Sequence, residues 1–268
     1  MDHARGARGD RIRGEIEAGI GWLTIDNPER RNALTSEMCQ AITAELAAYA
    51  EDPAVHVVVL RGAGDKAFIS GADISEFATE ADTSLAAARV DEAFGASVAA
   101  LESCPLPVIA MIRGFCMGGG VAMACGADLR IAADDALFAI PAAKLGIAYN
   151  YVSLRRLVET VGQAAAKDIL FTGKRFDAQE AYRIGLVDYL VPAAKLETET
   201  QNLVETIAGN APLSIRAAKA GIHEIVQKGP QADLEMVAGM LRQCVTSEDF
   251  REGQAAFREK RQPVFKGR

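Results

Sequence analysis

Apolar positions along the chain follow two different rhythms. Met38, Ile42 and Leu46 recur every fourth residue between Thr35 and Glu51, the spacing of one helix face. That stretch stops at Asp52-Pro53, since the residue before a proline disfavours helical backbone. Val57–Arg61 (VVVLR) has no alternation, and a β-branched run of this kind predicts a strand buried on both faces. Val108–Ile112 predicts a second such strand after Pro105-Leu106-Pro107, and Leu129–Ala132 a third. An Ala-rich helix over 84–103 separates the first two strands. A short apolar helix, opened by Gly118-Gly119-Gly120 and running to Cys125, separates the second from the third. Upstream, Glu15–Asp26 reads as a hairpin with Gly19 and Gly21 marking its turn, and 62–72 reads as a Gly-punctuated loop. Strand–helix–strand alternation at this spacing predicts an α/β domain with parallel strands.

Beyond Tyr151 the pattern turns helical. Short helices are expected over 152–161, 164–171 and 178–184, with a return strand over 187–191. Pro192, Pro212 and Pro230 then punctuate three further helices, the last capped by Ser247 with Glu248 and Asp249 in its first turn. The organisation expected is a disordered tail over 1–11, an α/β core over 12–192 and a helical domain over 193–268.

Half of the 268 residues are apolar, enough for a sizeable core. The net charge of −7 weighs against a nucleic-acid platform, which needs a basic face, and against a polybasic membrane binder. An uninterrupted apolar run of ~20 residues, the length of a membrane helix, is missing. The start MDHARGARGDRIRG lacks the apolar stretch of a secretory signal. The five cysteines, at 39, 104, 116, 125 and 244, form no CxxC pair. A reducing, cytoplasmic setting is therefore expected. His3, His56 and His223 have no partners at metal-ligand spacing, so no metal is expected. A GxSxG elbow is absent, Asp168 stands where a phosphate-binding Gly–Lys loop needs glycine, and Met123 replaces the last glycine of GxGxxG. No cofactor is expected.

The strongest signal lies in two loops, each just after a buried strand: Phe68-Ile69-Ser70-Gly71-Ala72-Asp73-Ile74 and Gly114-Phe115-Cys116-Met117-Gly118-Gly119-Gly120. Glycines allow close backbone approach, and a glycine run opening a helix presents unpaired N–H groups at the positive end of its dipole. Two such loops can aim one N–H each at a single oxygen, the arrangement of an oxyanion hole. Without Ser/His machinery a carbonyl so activated becomes an enolate. On the residues alone, loops that merely turn are the competing reading.

Several stretches together resemble the enoyl-CoA hydratase/isomerase (crotonase) superfamily. They are Asn27-Pro28-Glu29-Arg30-Arg31-Asn32-Ala33-Leu34, FISGADISEF at 68–77, IAMIRGFCMGGGVAMACGADLRIAADDALFAIP at 109–141, FTGKRFDAQEAYRIGLVDYLVP at 171–192 and SEDFREGQAAFREKRQPVFKGR at 247–268. The resemblance implies a crotonase-like core, a spiral of ββα turns, with a C-terminal helical trimerisation domain, hence a homotrimer or dimer of trimers. It implies an acyl-CoA thioester substrate and oxyanion donors at the Ala72 and Gly119 amides. Arg31, Ala33 and the Ala72–Asp73–Ile74–Ser75 loop would lie near the nucleotide or pantetheine. Phe257 and Lys260 would reach the CoA of a neighbouring subunit.

The chain departs from that pattern where hydratases of the family carry two glutamates: the positions are Ala122 and Ala142. Losing one acid–base group costs ~10²–10⁴ in rate. Gly146-Ile147-Ala148-Tyr149-Asn150 resembles the loop of the family's methylmalonyl-CoA decarboxylases, although Ala72 stands where those enzymes have histidine. Decarboxylation needs no base, because loss of CO₂ itself generates the enolate. Three readings stay open: decarboxylation of a short malonyl-type CoA with Tyr149 assisting and Asn150 beside it; hydration or isomerisation run by other acid–base residues; and acyl-CoA binding without chemistry.

Overall fold

The computed structural model describes residues 3–4, 11–73, 75–76 and 83–268. Its main sheet starts from the expected hairpin, β2 (Ile12–Glu17) and β3 (Ile20–Ile25), which pair antiparallel. The turn falls at Ala18 and Gly19, both at positive φ, so Gly21 lies inside β3 rather than in the turn. β1 (His3–Ala4) pairs with β2 at the edge; the other residues of the expected N-terminal tail, Arg11 apart, lie outside the described residues. From β3 the sheet continues in parallel through β4 (Val57–Gly62), β6 (Val108–Ile112), β8 (Leu129–Ala133) and β11 (Tyr189–Val191). Side chains of a strand alternate between faces, and β4 shows the result. Val58 and Leu60 enter one hydrophobic core, while Val57 and Val59 enter a second on the opposite side.

A smaller sheet has the order β10-β9-β7-β5, made from β5 (Ala67–Ile69), β7 (Phe115–Met117), β9 (Leu137–Ala139) and β10 (Phe176–Asp177). β5 lies within the stretch expected to be only loop. Each of these strands spans two or three residues, too few for a period of two to stand out. Their placement reveals a repeat: β4, β6 and β8 are each followed by one short strand of the second sheet and then by a helix. The helices are α2 (Thr83–Ser103), α3 (Gly119–Gly126) and α4 (Ala142–Leu145). This is a ββα spiral.

The helices follow their sequence signals. α1 (Ser36–Glu51) is capped by the Thr35 hydroxyl, which accepts from the Met38 N–H at 3.2 Å. α5 (Tyr151–Thr172) breaks at Gly162, whose φ of 74° falls between the two short helices expected there. α6 (Ala178–Arg183) leads into β11. α7 (Leu196–Ala208) packs Leu196 and Val204 into the second core. α8 (Pro212–Lys228), α9 (Leu234–Thr246) and α10 (Glu248–Glu259) follow, and Ser247 caps α10 by accepting from the Phe250 N–H. Ile222, Ile225, Leu234, Leu241 and Phe257 on these helices are more than half exposed. Among the described residues, no helix is long and apolar enough to cross a membrane.

Candidate active site

The segment after β3 is fastened by two buried asparagines. Asn32 donates through Nδ2 to the Ala63 and Ala67 carbonyls and accepts from the Asn27 N–H, while Asn27 donates to the Ala33 carbonyl. This locks Leu34 beside the first loop, where it bridges Ala72 in parallel. The Leu34 N–H donates to Gly71 O at 2.9 Å and the Asp73 N–H to Leu34 O at 2.8 Å. In a parallel pair the residue flanked by those two bonds turns its own N–H away from the partner. Ala72 is that residue, so its N–H points away from Leu34.

The second loop turns at Gly118, with φ 51° and ψ −116°, a conformation open to glycine and strained for any other residue. Gly118 caps α3 and is anchored by its N–H donating to Ala139 O at 2.8 Å. Gly119 is the first helical residue, whose N–H has no partner within the helix. Its α-carbon lies against α2: a methyl group placed there would stand 2.2 Å from Phe94 Cε1. The two loops are neighbours, since a methyl on Gly71 would be 3.9 Å from the Gly119 nitrogen.

Ala72 and Gly119 line one cavity of about 390 Å³. Its walls are mainly apolar, with Ala87, Val90 and Phe94 of α2 on one side. Of the two positions where the resemblance led glutamates to be expected, Ala122 lines this cavity and Ala142 does not. Ala142 opens α4 and is buried elsewhere.

Tyr149 also lines the cavity, but its hydroxyl has a partner within the chain. It donates to Gly118 O at 2.5 Å. Burial pushes its phenol well above the ordinary tyrosine range. In this structure the proton of the Tyr149 hydroxyl is directed to the Gly118 carbonyl. Asn150 is the N-cap of α5, accepting from the Ser153 N–H at 2.8 Å, and its Nδ2 donates to Asp91 at 3.0 Å.

Asp91 is a cavity residue that sequence reasoning missed. It shares a face of α2 with Ala87, Val90 and Phe94, at the one-turn spacing of a helix. The available signal was one carboxylate on the otherwise apolar face of an Ala-rich helix.

The remaining expected residues lie around this cavity or apart from it. Asp73 is buried and ion-paired to Arg30 at 2.7 Å, with the Ser75 hydroxyl and N–H also donating to it. Burial opposes its charge, but the Ser75 and Arg30 hydrogen bonds outweigh burial and hold the carboxyl below the usual range. Asp73 and Ser75 thus stiffen the loop, and Ile74 lies outside the described residues. Glu76 accepts from the Ser36 N–H at the start of α1. Arg31 lines a separate cavity with Lys66 and places its guanidinium 5.1 Å from the Phe115 ring centre. Ala33 is half-buried beside it. Phe257 and Lys260, on α10 and at its C-terminus, do not line the Ala72–Gly119 cavity. Among the described residues, no group of three or more His, Cys, Asp or Glu side chains is arranged to hold a metal.

Known proteins match this architecture along nearly the whole chain. A family model described as enoyl-CoA hydratase/isomerase matches residues 15–268. A crotonyl-CoA hydratase of Syntrophomonas wolfei is 36% identical over 252 residues, covering 94% of this chain and 96% of that protein. A carnitinyl-CoA dehydratase of Proteus mirabilis is 33% identical over 258 residues, covering 92% of this chain and 94% of the relative. The crystal structure of an enoyl-CoA hydratase/carnithine racemase from Magnetospirillum magneticum superposes with a TM-score of 0.92 at 35% identity, covering 97% of each chain.

Proposed function

The chain belongs to the enoyl-CoA hydratase/isomerase family, and on that premise we propose that it is an acyl-CoA enzyme whose Ala72 and Gly119 amides hold the thioester oxygen. The observation that carries this is the convergence of Ala72 and Gly119, from separate loops, on one cavity. Each amide is free of the bonding pattern of its own element. Donors fixed in this way stabilise the charge of an enolate without reorganising as it forms.

Decarboxylation of a short malonyl-type CoA is the leading route. The electrons of the breaking C–C bond pass into the thioester enolate, CO₂ leaves, and the enolate takes up a proton. The support is Ala122 in the cavity wall, where hydration would need an acid–base side chain. Buried Val90 and Phe94 put an apolar patch in that wall, and a substrate carboxylate held against it would be relieved of poor solvation by leaving as neutral CO₂. Asp91 favours the second reading, hydration or isomerisation, because it is a carboxylate in the same wall. That reading also draws on the activity named for the Syntrophomonas relative. Arg31, Ala33 and the Asp73–Ser75 loop would face the nucleotide or pantetheine. Exposed Ile222, Leu241 and Phe257 support a homotrimer or dimer of trimers in which Phe257 and Lys260 reach a neighbour's CoA.

Mass spectrometry after incubation with methylmalonyl-CoA and with crotonyl-CoA separates the cases. Loss of 44 mass units supports decarboxylation, and gain of 18 supports hydration. Binding with neither a change in mass nor a new isomer by chromatography overturns both and leaves an acyl-CoA-binding protein.

A further inference from the structure

We propose that Tyr149 is a positioning residue that aims the Gly119 amide by holding the other end of the same peptide unit. This rests on the oxyanion reading of Gly119. The peptide between Gly118 and Gly119 is planar and trans, so its C=O and N–H point in opposite directions. Fixing one fixes the other. The Tyr149 hydroxyl donates to that C=O at 2.5 Å, the shortest contact made to it; the Val121 and Ala122 N–H groups reach the same oxygen at 3.0 and 3.3 Å. Such a lock has a use here because a glycine pair offers little steric resistance to turning of the peptide between its members. Gly118 is anchored on its other side by Ala139, and the peptide that follows it is held through its oxygen, by Tyr149 at the shortest distance and by the first turn of α3 at longer ones.

The contact also changes the amide electronically. A hydrogen bond to a peptide oxygen polarises the unit and makes its N–H a stronger donor. Tyr149 keeps its proton to do so, since burial disfavours its ionised form. Tyr149 thus acts through the backbone and needs no contact with the reacting atoms. The two alanines at 122 and 142 do not affect this role, which operates for any chemistry passing through the enolate.

The test uses butyryl-CoA labelled with ¹³C at the thioester carbonyl, a saturated probe that reports carbonyl polarisation without turnover. In the wild type, isotope-edited infrared spectra show the bound carbonyl stretch below its free position. In Tyr149→Phe that displacement shrinks by at least half, with the Kd for butyryl-CoA within about twofold. A wild-type displacement that Tyr149→Phe leaves unchanged overturns the positioning role alone. A wild type with no displacement overturns the oxyanion reading and the positioning role with it. Replacing Tyr149 by 3-fluorotyrosine, which keeps ring and hydroxyl but donates more strongly, serves where the Phe variant fails to fold. It increases the displacement, and an unchanged stretch overturns the proposal.

Discussion

Arg30 and Asp73 meet at 2.7 Å, which ties the segment after β3 to the residue next to Ala72. Asp73→Asn keeps the shape and removes the charge. We expect a loss of about 1.5–3 kcal/mol in urea unfolding near neutral pH, the range of one hydrogen bond to a charged group. The sign with pH follows from the lowered carboxyl. A depressed carboxylate stabilises the fold fully above its unfolded value, here 3.8, and loses that contribution as pH falls through its folded value. The gap between wild type and variant should be full at about pH 6 and close below the ordinary aspartate range. A gap independent of pH refutes the charge argument.

Gly119 and Phe94 should be energetically coupled. Gly119→Ala forces a methyl to within 2.2 Å of the ring, and overpacking of this kind costs about 1–3 kcal/mol. Phe94→Ala removes a large buried side chain at about 3–5 kcal/mol. In the double variant the methyl meets space instead of the ring, so the combined loss falls short of the sum by about 1 kcal/mol or more. Strict additivity in denaturant melts rejects this close packing as the reason for glycine.

A carboxylate introduced at 122 should matter more than one at 142. Ala122 lines the cavity and Ala142 does not. Ala122→Glu is expected to raise crotonyl-CoA hydration by ~10²–10⁴, the usual worth of a positioned acid–base group. Ala142→Glu alone should change it less than about tenfold. Equal gains from the two single variants, read by ultraviolet assay of the enoyl thioester, contradict the cavity geometry.

The cysteines should separate cleanly by reactivity. Cys39, Cys104, Cys116 and Cys125 are buried, whereas Cys244 is partly exposed. Burial pushes the Cys39 thiol up to about 12 and raises Cys104, Cys116 and Cys125 as well. Only the thiolate reacts, so iodoacetamide near pH 8 should modify the native protein once, at Cys244. Peptide mapping checks the site. Rapid labelling of Cys116 or Cys125 in the folded protein is incompatible with their burial.

The long periods of the chain were legible from its residues, and the short ones were not. α1 shows three turns of apolar repeat, and β4, β6 and β8 are β-branched or apolar runs, so each declares itself locally. β5, β7, β9 and β10 are stabilised by neighbours far along the chain, and nothing within two or three residues announces that. The same contrast holds in the site. The two glycine-marked loops could be singled out, and the structure places Ala72 and Gly119 on one cavity. The partner of the Tyr149 hydroxyl could not be read, because it is a backbone oxygen 31 residues upstream. Asp91 was hidden for the opposite reason. A single carboxylate in an Ala-rich helix looks like an ordinary solvated residue until tertiary packing assigns that face to a cavity.

The division of β4 between two cores has a consequence for how the chain comes off the ribosome. Synthesis delivers the N-terminal part first. The main sheet is complete once β11 has emerged at Val191, but Leu196 and Val204, which cover Val57, Val59, Ile109 and Ile131, come later. For that interval the nascent chain carries a finished sheet with one oily face uncovered. Its safe passage depends on the next seventeen residues arriving before another chain, or a chaperone, finds that face.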